Sequence, residues 1–497
     1  MSLGSNGSHH AAAARPPAAV AQFELALRLY GQARKMDAAR CYVRALRLYP
    51  DFFEAAFNLG RLFQELGQTQ EAIDCYRQVL RSNPSYAPAW GNLGAALYAD
   101  GQFQEAIDCL RHACSIQSAT PELLNNLGLA LRARQQYLVA ADCFRESLRH
   151  CPTDAEVHLN LGNTLRVQGQ VNEAIVCLRH ALELRPDFPE AHCDLAFALL
   201  LQGDFARGFF EYEWRWQRDG FVERQCAQPL WRGRDPAGRT LLVYTEQGAG
   251  DAIQFVRFVN VLAARGARVV LECQGSLVAL FASVAGADEV IARGDPLPAF
   301  DWHVPLLSLP LRLGTTLSGL PATVPYLRVP GERSVPLPKP ATAAADALKV
   351  GVVWRGNPRQ TNDRLRSLPV ALIEPLLSEP DMVFYSLQVE AAAGAWDAAK
   401  PSGLIDLSSL VHDYADTAAL AQQLDLVLTV DTSVAHLAGA LGRPVWLILP
   451  HAPDWRWLLG QERSPWYPTM RLFRQPAPGD WPGVIQAVGA ALKAQRR

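Results

Sequence analysis

Between Leu428 and Pro444 the chain reads LTVDTSVAHLAGALGRP: an apolar β-rich run, an Asp-Thr-Ser cluster, and a small-residue helical pattern that stops at Gly442 before Pro444. That order predicts a strand, a tight turn and a helix N-terminus. Unpaired backbone N–H groups and the positive end of the helix dipole favour an anion at such a turn by roughly 0.3–1 kcal/mol, and by up to about 2 when it is partly buried. A nucleotide diphosphate fits this chemistry. The competing reading is that Asp431 or Ser433 merely caps a helix of an ordinary α/β domain.

Composition bounds what else the chain can be. Its 497 residues, 49% hydrophobic and 19% charged, are enough for about three globular domains. A formal net charge of −2 gives no overall drive toward nucleic acid or an anionic membrane. No run of apolar residues is long enough to span a bilayer. Residues 1–18 lack a basic start followed by an apolar core, and are expected to be a disordered leader rather than a secretory signal. Cys41, Cys75, Cys109, Cys143 and Cys177 recur every 34 residues, so they occupy one buried column of a repeat rather than a disulfide framework. A reduced, cytoplasmic protein is the resulting expectation.

The same 34-residue step fixes the organisation of residues 19–222. Leu59-Gly60, Leu93-Gly94, Leu127-Gly128 and Leu161-Gly162 mark the first helix of each unit, and Ala38, Ala72, Ala106, Ala140 and Ala174 mark the second. Small residues let paired helices approach, while Phe63, Leu97, Leu131, Leu165, Tyr42, Tyr76 and Phe144 fill the space between them. This pattern resembles the tetratricopeptide repeat, an α solenoid. A sixth unit begins at Pro189 and ends in FARGFFEYEWRW, an aromatic cap expected to dock on the next domain. Asn58, Asn92, Asn126 and Asn160, continued by Asp194, form one column on the first helices. Amides donate and accept at once, so the column suits an extended peptide backbone. It is similar to the asparagine ladder of O-GlcNAc transferase; local hydrogen bonding is the plainer alternative.

From Arg239 onward, short β-rich runs alternate with helical patterns: LLVYTE, RVVLEC, EVIAR, DWHVPLL and PYLRV read as strands over residues 239–330. A proline-rich bridge follows, and a second alternating series fills residues 348–497, with KVGVVW, MVFYSLQ, LIDLS, DLVLTV and VWLIL as strands. Two such series imply two parallel-sheet domains, with ligands at the C-terminal ends of the strands. The last helix, from about Pro482 to Gln495, is expected to cross back to the first of them.

This half resembles a GT-B glycosyltransferase with two Rossmann-like domains, closest in motif to the heptosyltransferase-like superfamily. The resemblance rests on Gly248-Ala249-Gly250-Asp251, Arg366-Ser367-Leu368-Pro369, and Asp431-Thr432-Ser433 with His436-Leu437-Ala438. It implies an inverting, metal-independent transfer from a nucleotide sugar, with the first domain on the acceptor side and no further cofactor.

Asp251 is then the candidate base, a role that typically supplies about 10²–10⁴ in rate, against the alternative that it caps the helix it begins. Glu246 and Gln247 are candidates to bind the acceptor or replace that base, and His303 is a further acceptor-side candidate. Arg366 matches a lysine of the family that contacts the donor phosphates, and Arg364 is an equally close choice; an arginine fork can engage two phosphate oxygens. Asn357 and Asn362 could support that loop. Gln388 and Glu390 follow a strand, and the resemblance places Glu390 at the ribose. Thr432 and Ser433 face the diphosphate, Asp431 the transferred sugar, and His436 either a phosphate or a structural partner. Trp455, Trp457, Trp466 and Tyr467 in the loop HAPDWRWLLGQERSPWYP either stack on a ligand or pack the domain. Together the halves predict a transferase acting on a protein chosen by the repeats. The alternatives are a non-catalytic scaffold with a degenerate transferase domain and a lipopolysaccharide transferase.

Overall fold

The computed structural model describes residues 15–221, 224–331, 333–340, 344, 346–358, 363–389 and 403–495. Asn362 and Glu390, the side chain of Arg364 and most of the expected leader lie outside the described residues. The chain divides into two compact units, one of residues 1–165 with 183–185, the other of residues 166–182 with 186–497.

The first unit is made of antiparallel helix pairs, beginning with Pro17–Gly31 and Lys35–Leu48 and continuing with Phe53–Glu65 and Thr69–Ser82. The first helices Phe53–Glu65, Ala87–Ala99 and Pro121–Ala133 carry a glycine where a bulky side chain of the second helix presses closest. A Cβ added at Gly60 would lie 2.8 Å from the Tyr76 ring, at Gly94 2.5 Å from Leu110, and at Gly128 2.6 Å from Phe144. Ala38, Ala72, Ala106 and Ala140 are inaccessible and Cys41, Cys75 and Cys109 are buried as expected, whereas Cys143 and Cys177 of the same column are only half-buried. All ten cysteines are free. Burial pushes the thiols of Cys75 and Cys109 up to about 12, as suits cysteines that serve as small apolar groups.

The second unit holds two parallel sheets. In the first, β1 (Thr240–Tyr244), β2 (Arg268–Cys273), β3 (Glu289–Ala292) and β4 (Trp302–Pro305) lie in the order β3-β2-β1-β4. In the second, β5 (Leu348–Val353), β6 (Met382–Ser386), β7 (Leu404–Asp406), β8 (Leu426–Val430), β9 (Val445–Leu449) and β10 (Met470–Arg474) lie in the order β10-β9-β8-β5-β6-β7. Every pairing is parallel. The order reverses beside β1 in one sheet and between β5 and β8 in the other, and such switch points open crevices at the strands' C-terminal ends.

Three expectations need correction. PYLRV does not form a strand; the N–H groups of Tyr326 and Leu327 donate to Ala440 O at the end of the helix Ser433–Ala440, leaving no sheet edge for them. The terminal helix Trp481–Ala494 does not return to the first sheet; Val484, Ile485, Val488 and Leu492 share a core with Ile373, Leu376 and Phe473 of the second. The third concerns the boundary at residue 222. The helices Pro189–Gln202 and Phe205–Tyr212 belong to the sheet-bearing unit, because Phe205 stacks on Trp466 and Phe209 meets Phe255 and Trp455. The aromatic cap is thus built into the second unit.

Candidate functional site

The turns that follow β1 and β8 meet. A Cβ at Gly250 would stand 3.2 Å from the His436 ring and 3.4 Å from Ser433 Cα, so the helix Ala249–Phe255 packs tightly against the N-terminus of Ser433–Ala440. Asp251 and Asp431 occupy these turns. Arg366 on the short helix Asp363–Arg366 brings its charge within reach of Asp251, Asp431 and His436, each of which it disfavours protonating. The structure therefore gathers Asp251, Arg366, Asp431, Thr432, Ser433 and His436 in one place.

The two carboxylates differ in their surroundings. Asp251 Oδ2 accepts from the Gly248 N–H at 3.1 Å, which closes the helix start, and its Oδ1 accepts from Arg456 at 2.5 Å. Burial raises its pKa, Arg456 opposes that, and Asp454 adds to it. Among the described residues Asp431 has no arginine so close; its Oδ1 lies 4.0 Å from His436 Nε2. Burial, followed by the nearby Asp454, pushes Asp431 up to about 6. His436 is buried and held well below its ordinary range by that burial and by the surrounding arginines, so it is neutral. Its Nδ1 meets the Tyr467 hydroxyl at 2.9 Å, an approach that Gly439 permits, since a Cβ there would strike the Tyr467 ring at 2.6 Å.

The helix Ser433–Ala440 starts at Thr432 without a side-chain cap. Thr432 Oγ1 instead meets Thr429 Oγ1 at 3.2 Å, and Ser433 Oγ accepts from Tyr414 at 2.9 Å. No side chain thus caps the first turn, whose Ala435 N–H donates to Thr432 O at 3.1 Å. Gln388 holds the neighbouring loop, its Oε1 accepting from the Arg355 N–H at 3.2 Å, while Ser367 Oγ accepts from the Gly356 N–H at 2.9 Å.

Other expected residues are committed elsewhere. Glu246 Oε1 accepts from buried Arg215 at 3.1 Å and from the Leu307 N–H at 3.2 Å, and burial pushes it up to about 7. The Gln247 amide donates to the Tyr212 hydroxyl at 2.6 Å. Both side chains anchor the segment Phe205–Gln217. His303 is buried within β4, paired with Leu242 and stacked 6.0 Å from Tyr244, on the strand rather than at its C-terminal end. The asparagine column belongs to the repeat unit. Asn58 donates to its own helix at Glu54 O (3.0 Å) and Asn160 to Asn125 (3.1 Å), so part of the column has internal partners.

Sequence reasoning passed over a pair of matching motifs. Glu213-Trp214-Arg215-Trp216 and Asp454-Trp455-Arg456-Trp457 share one acid-Trp-Arg-Trp pattern, and both fold as 3₁₀ turns. In each, the buried arginine binds the acid two residues earlier, at 2.6 Å for Glu213 and 2.8 Å for Asp454. Each then reaches an acid of the β1 turn, Glu246 or Asp251. Repetition of the tetrapeptide was the signal available. Among the described residues, no group of three or more His, Cys, Asp and Glu side chains is placed to hold a metal ion. Nor, among them, is any helix long and apolar enough to cross a membrane.

The repeat region is of the tetratricopeptide class. Residues 6–212 match the family described as the C-terminal domain of cilia and flagella-associated protein 70. Protein FlbA of Caulobacter vibrioides is 28% identical over 293 residues, which covers 53% of this chain and 48% of FlbA. The chain thus spans about half the length of that curated relative. Among solved structures, MamA (TM-score 0.32, 20% identity) covers 34% of this chain and 93% of its own. YrrB, a repeat protein described as having an unusual peptide-binding site, has a TM-score of 0.32 and 17% identity over 36% of this chain and 92% of its own.

Proposed function

We propose that this tetratricopeptide-repeat protein binds a polypeptide through its repeats and transfers a sugar to it, from a nucleotide-sugar donor, in the sheet-bearing unit. One observation carries the reading: the turns after β1 and β8 converge at switch points of two parallel sheets, bringing Asp251 and Arg366 to an uncapped helix N-terminus. In the proposed reaction the N–H groups of that terminus and Arg366 hold the diphosphate. Asp251 accepts the proton of the acceptor hydroxyl as its oxygen bonds to the anomeric carbon, and the electron pair of the breaking C–O bond leaves with the nucleoside diphosphate. On this reading the protein works in the cytoplasm, where nucleotide sugars are available.

A second reading is favoured by the pairing of Asp251, both of whose oxygens are already engaged by Gly248 and Arg456. A protein in which that pair never opens is a scaffold that binds partners and transfers nothing. A thermal-shift screen of nucleotide sugars separates the two, because a ligand at 100 times its dissociation constant adds about 2.7 kcal/mol of stability. A stabilising donor supports transfer, and Asp251→Asn should then abolish turnover while retaining donor binding. Absence of any shift supports the scaffold.

A further inference from the structure

Arg257 is 2% exposed, yet among the described residues its hydrogen bonds all go to neutral oxygens. Nε donates to Gln254 O at 2.8 Å, Nη1 to Trp466 O at 2.8 Å and to Pro321 O at 3.3 Å, and Nη2 to the Tyr326 hydroxyl at 2.9 Å. The guanidinium also lies 4.3 Å from the centre of the Tyr326 ring and 4.7 Å from that of Tyr467. It therefore ties the helix Arg257–Ala264 of the first sheet to the loop between β9 and β10 of the second.

This cation sets the direction of the protons around it. A guanidinium only donates, so the Tyr326 oxygen accepts from it, and the single Tyr326 proton goes to Ile253 O at 2.9 Å. None is left for the Tyr467 hydroxyl, 3.4 Å away. Tyr467 is fully buried, and its own proton has two destinations: the Tyr326 oxygen at 3.4 Å or His436 Nδ1 at 2.9 Å. The first lies outside the usual range for a hydroxyl, and a proton sent there would approach the guanidinium that already donates to the same oxygen. Tyr467 thus donates to Nδ1. His436 is neutral, and a neutral ring that accepts at Nδ1 carries its proton on Nε2. The surroundings of Nε2 agree, because 4.0 Å from Asp431 Oδ1 an N–H is attracted and a lone pair repelled.

We propose that Arg257 and Tyr467 are positioning residues that hold His436 as its Nε2–H tautomer, and that this N–H donates to an oxygen of the bound nucleotide sugar. The polarity excludes His436 as a base: Nδ1 is taken by the Tyr467 hydroxyl, and Nε2 already bears a proton. Proton acceptance is then left to Asp251. The inference rests on the donor-site reading above.

The first test needs no ligand. Nitrogen NMR of the full chain with isotope-labelled histidine reads the tautomer, and the His436 signal is the one lost in His436→Phe. A neutral ring protonated at Nε2 is expected, with an Nδ1–H population appearing in Tyr467→Phe, which removes only the hydroxyl. An Nδ1–H or doubly protonated ring in the parent, or an unchanged tautomer in Tyr467→Phe, overturns the proposal. The second test is titration calorimetry with UDP-N-acetylglucosamine, GDP-mannose and ADP-glucose. His436→Phe should weaken whichever binds by about tenfold. Tyr467→Phe should weaken it several-fold, and the double variant should be no weaker than His436→Phe alone, a non-additivity that general loosening of the fold would not give. The same loss with the nucleoside diphosphate alone assigns the contact to a phosphate oxygen, and a loss confined to the intact donor assigns it to the sugar. Undiminished affinity in His436→Phe overturns the proposal while leaving the donor site standing. Failure of all three probes to bind overturns the donor-site reading, and this inference with it.

Discussion

The repeat unit and the sheet-bearing unit bury different kinds of side chain. Among the described residues, the first unit buries the polar side chains Ser147 and Thr164 but no Asp, Glu, His, Lys or Arg. The second buries Arg215, Arg257, Arg456, Glu272, Asp363, Asp416 and His436. A solenoid needs only complementary shapes between neighbouring helices, so glycine, alanine and cysteine columns suffice. Buried charge is costly to desolvate, and a fold that needs only stability has little use for it. Arg456 and His436 of this group adjoin the β1 and β8 turns, where the proposed function puts the chemistry.

The largest effect should come from removing one of those charges. Arg456→Leu leaves Asp251 and Asp454 without their shared cation, and should destabilise the sheet-bearing unit by about 3–5 kcal/mol in urea unfolding followed by tryptophan emission. In the repeat unit shape replaces charge as the weak point: Gly128→Ala places a methyl 2.6 Å from Phe144, and should cost about 1–3 kcal/mol, read from the helical circular dichroism transition.

Asp431→Asn should act in the opposite direction. The folded state raises this carboxyl to about 6 from an ordinary value of 3.8, so its cost to folding is absent at low pH, builds between those two values and is complete above 6. The variant should therefore be more stable than the parent by about 3 kcal/mol at pH 8, with the gain shrinking toward zero below about pH 4, as measured by thermal melts across that range. Loss of stability at pH 8 would show that Asp431 is better paired than its neighbours indicate. Smallest of all, Asn126→Ala should change stability by less than about 0.5 kcal/mol. Any weakening of peptide binding in that variant then belongs to the asparagine column rather than to folding.

The same contrast explains what could be read in advance. A repeat states its packing many times over, so the columns of Ala72, Cys75 and Gly94 disclosed both the helices and the contacts between them. The strand–turn–helix at Leu428–Pro444 was also legible, since its residues are contiguous. What escaped was long-range: Arg456 meets Asp251 from 205 positions away, and Arg215 meets Glu246 from 31. Both arginines were hidden among tryptophans that drew attention as packing residues. Nor did local pattern show that Glu246 would be taken by Arg215, because the charge of a side chain says nothing about which partner folding brings to it. PYLRV misled for a related reason: its β-rich composition is satisfied by a helix end instead of a neighbouring strand.

The helix Phe205–Tyr212 has a practical consequence for anyone dividing the chain. Composition changes near residue 222, but a fragment begun there would lose Phe205, Phe209, Tyr212 and Arg215, exposing Phe255 and Trp466 and stranding Glu246 in an apolar setting. A soluble fragment of the sheet-bearing unit should start no later than Pro189 and carry the hairpin of Pro189–Gln202 and Phe205–Tyr212 along as part of its own interior.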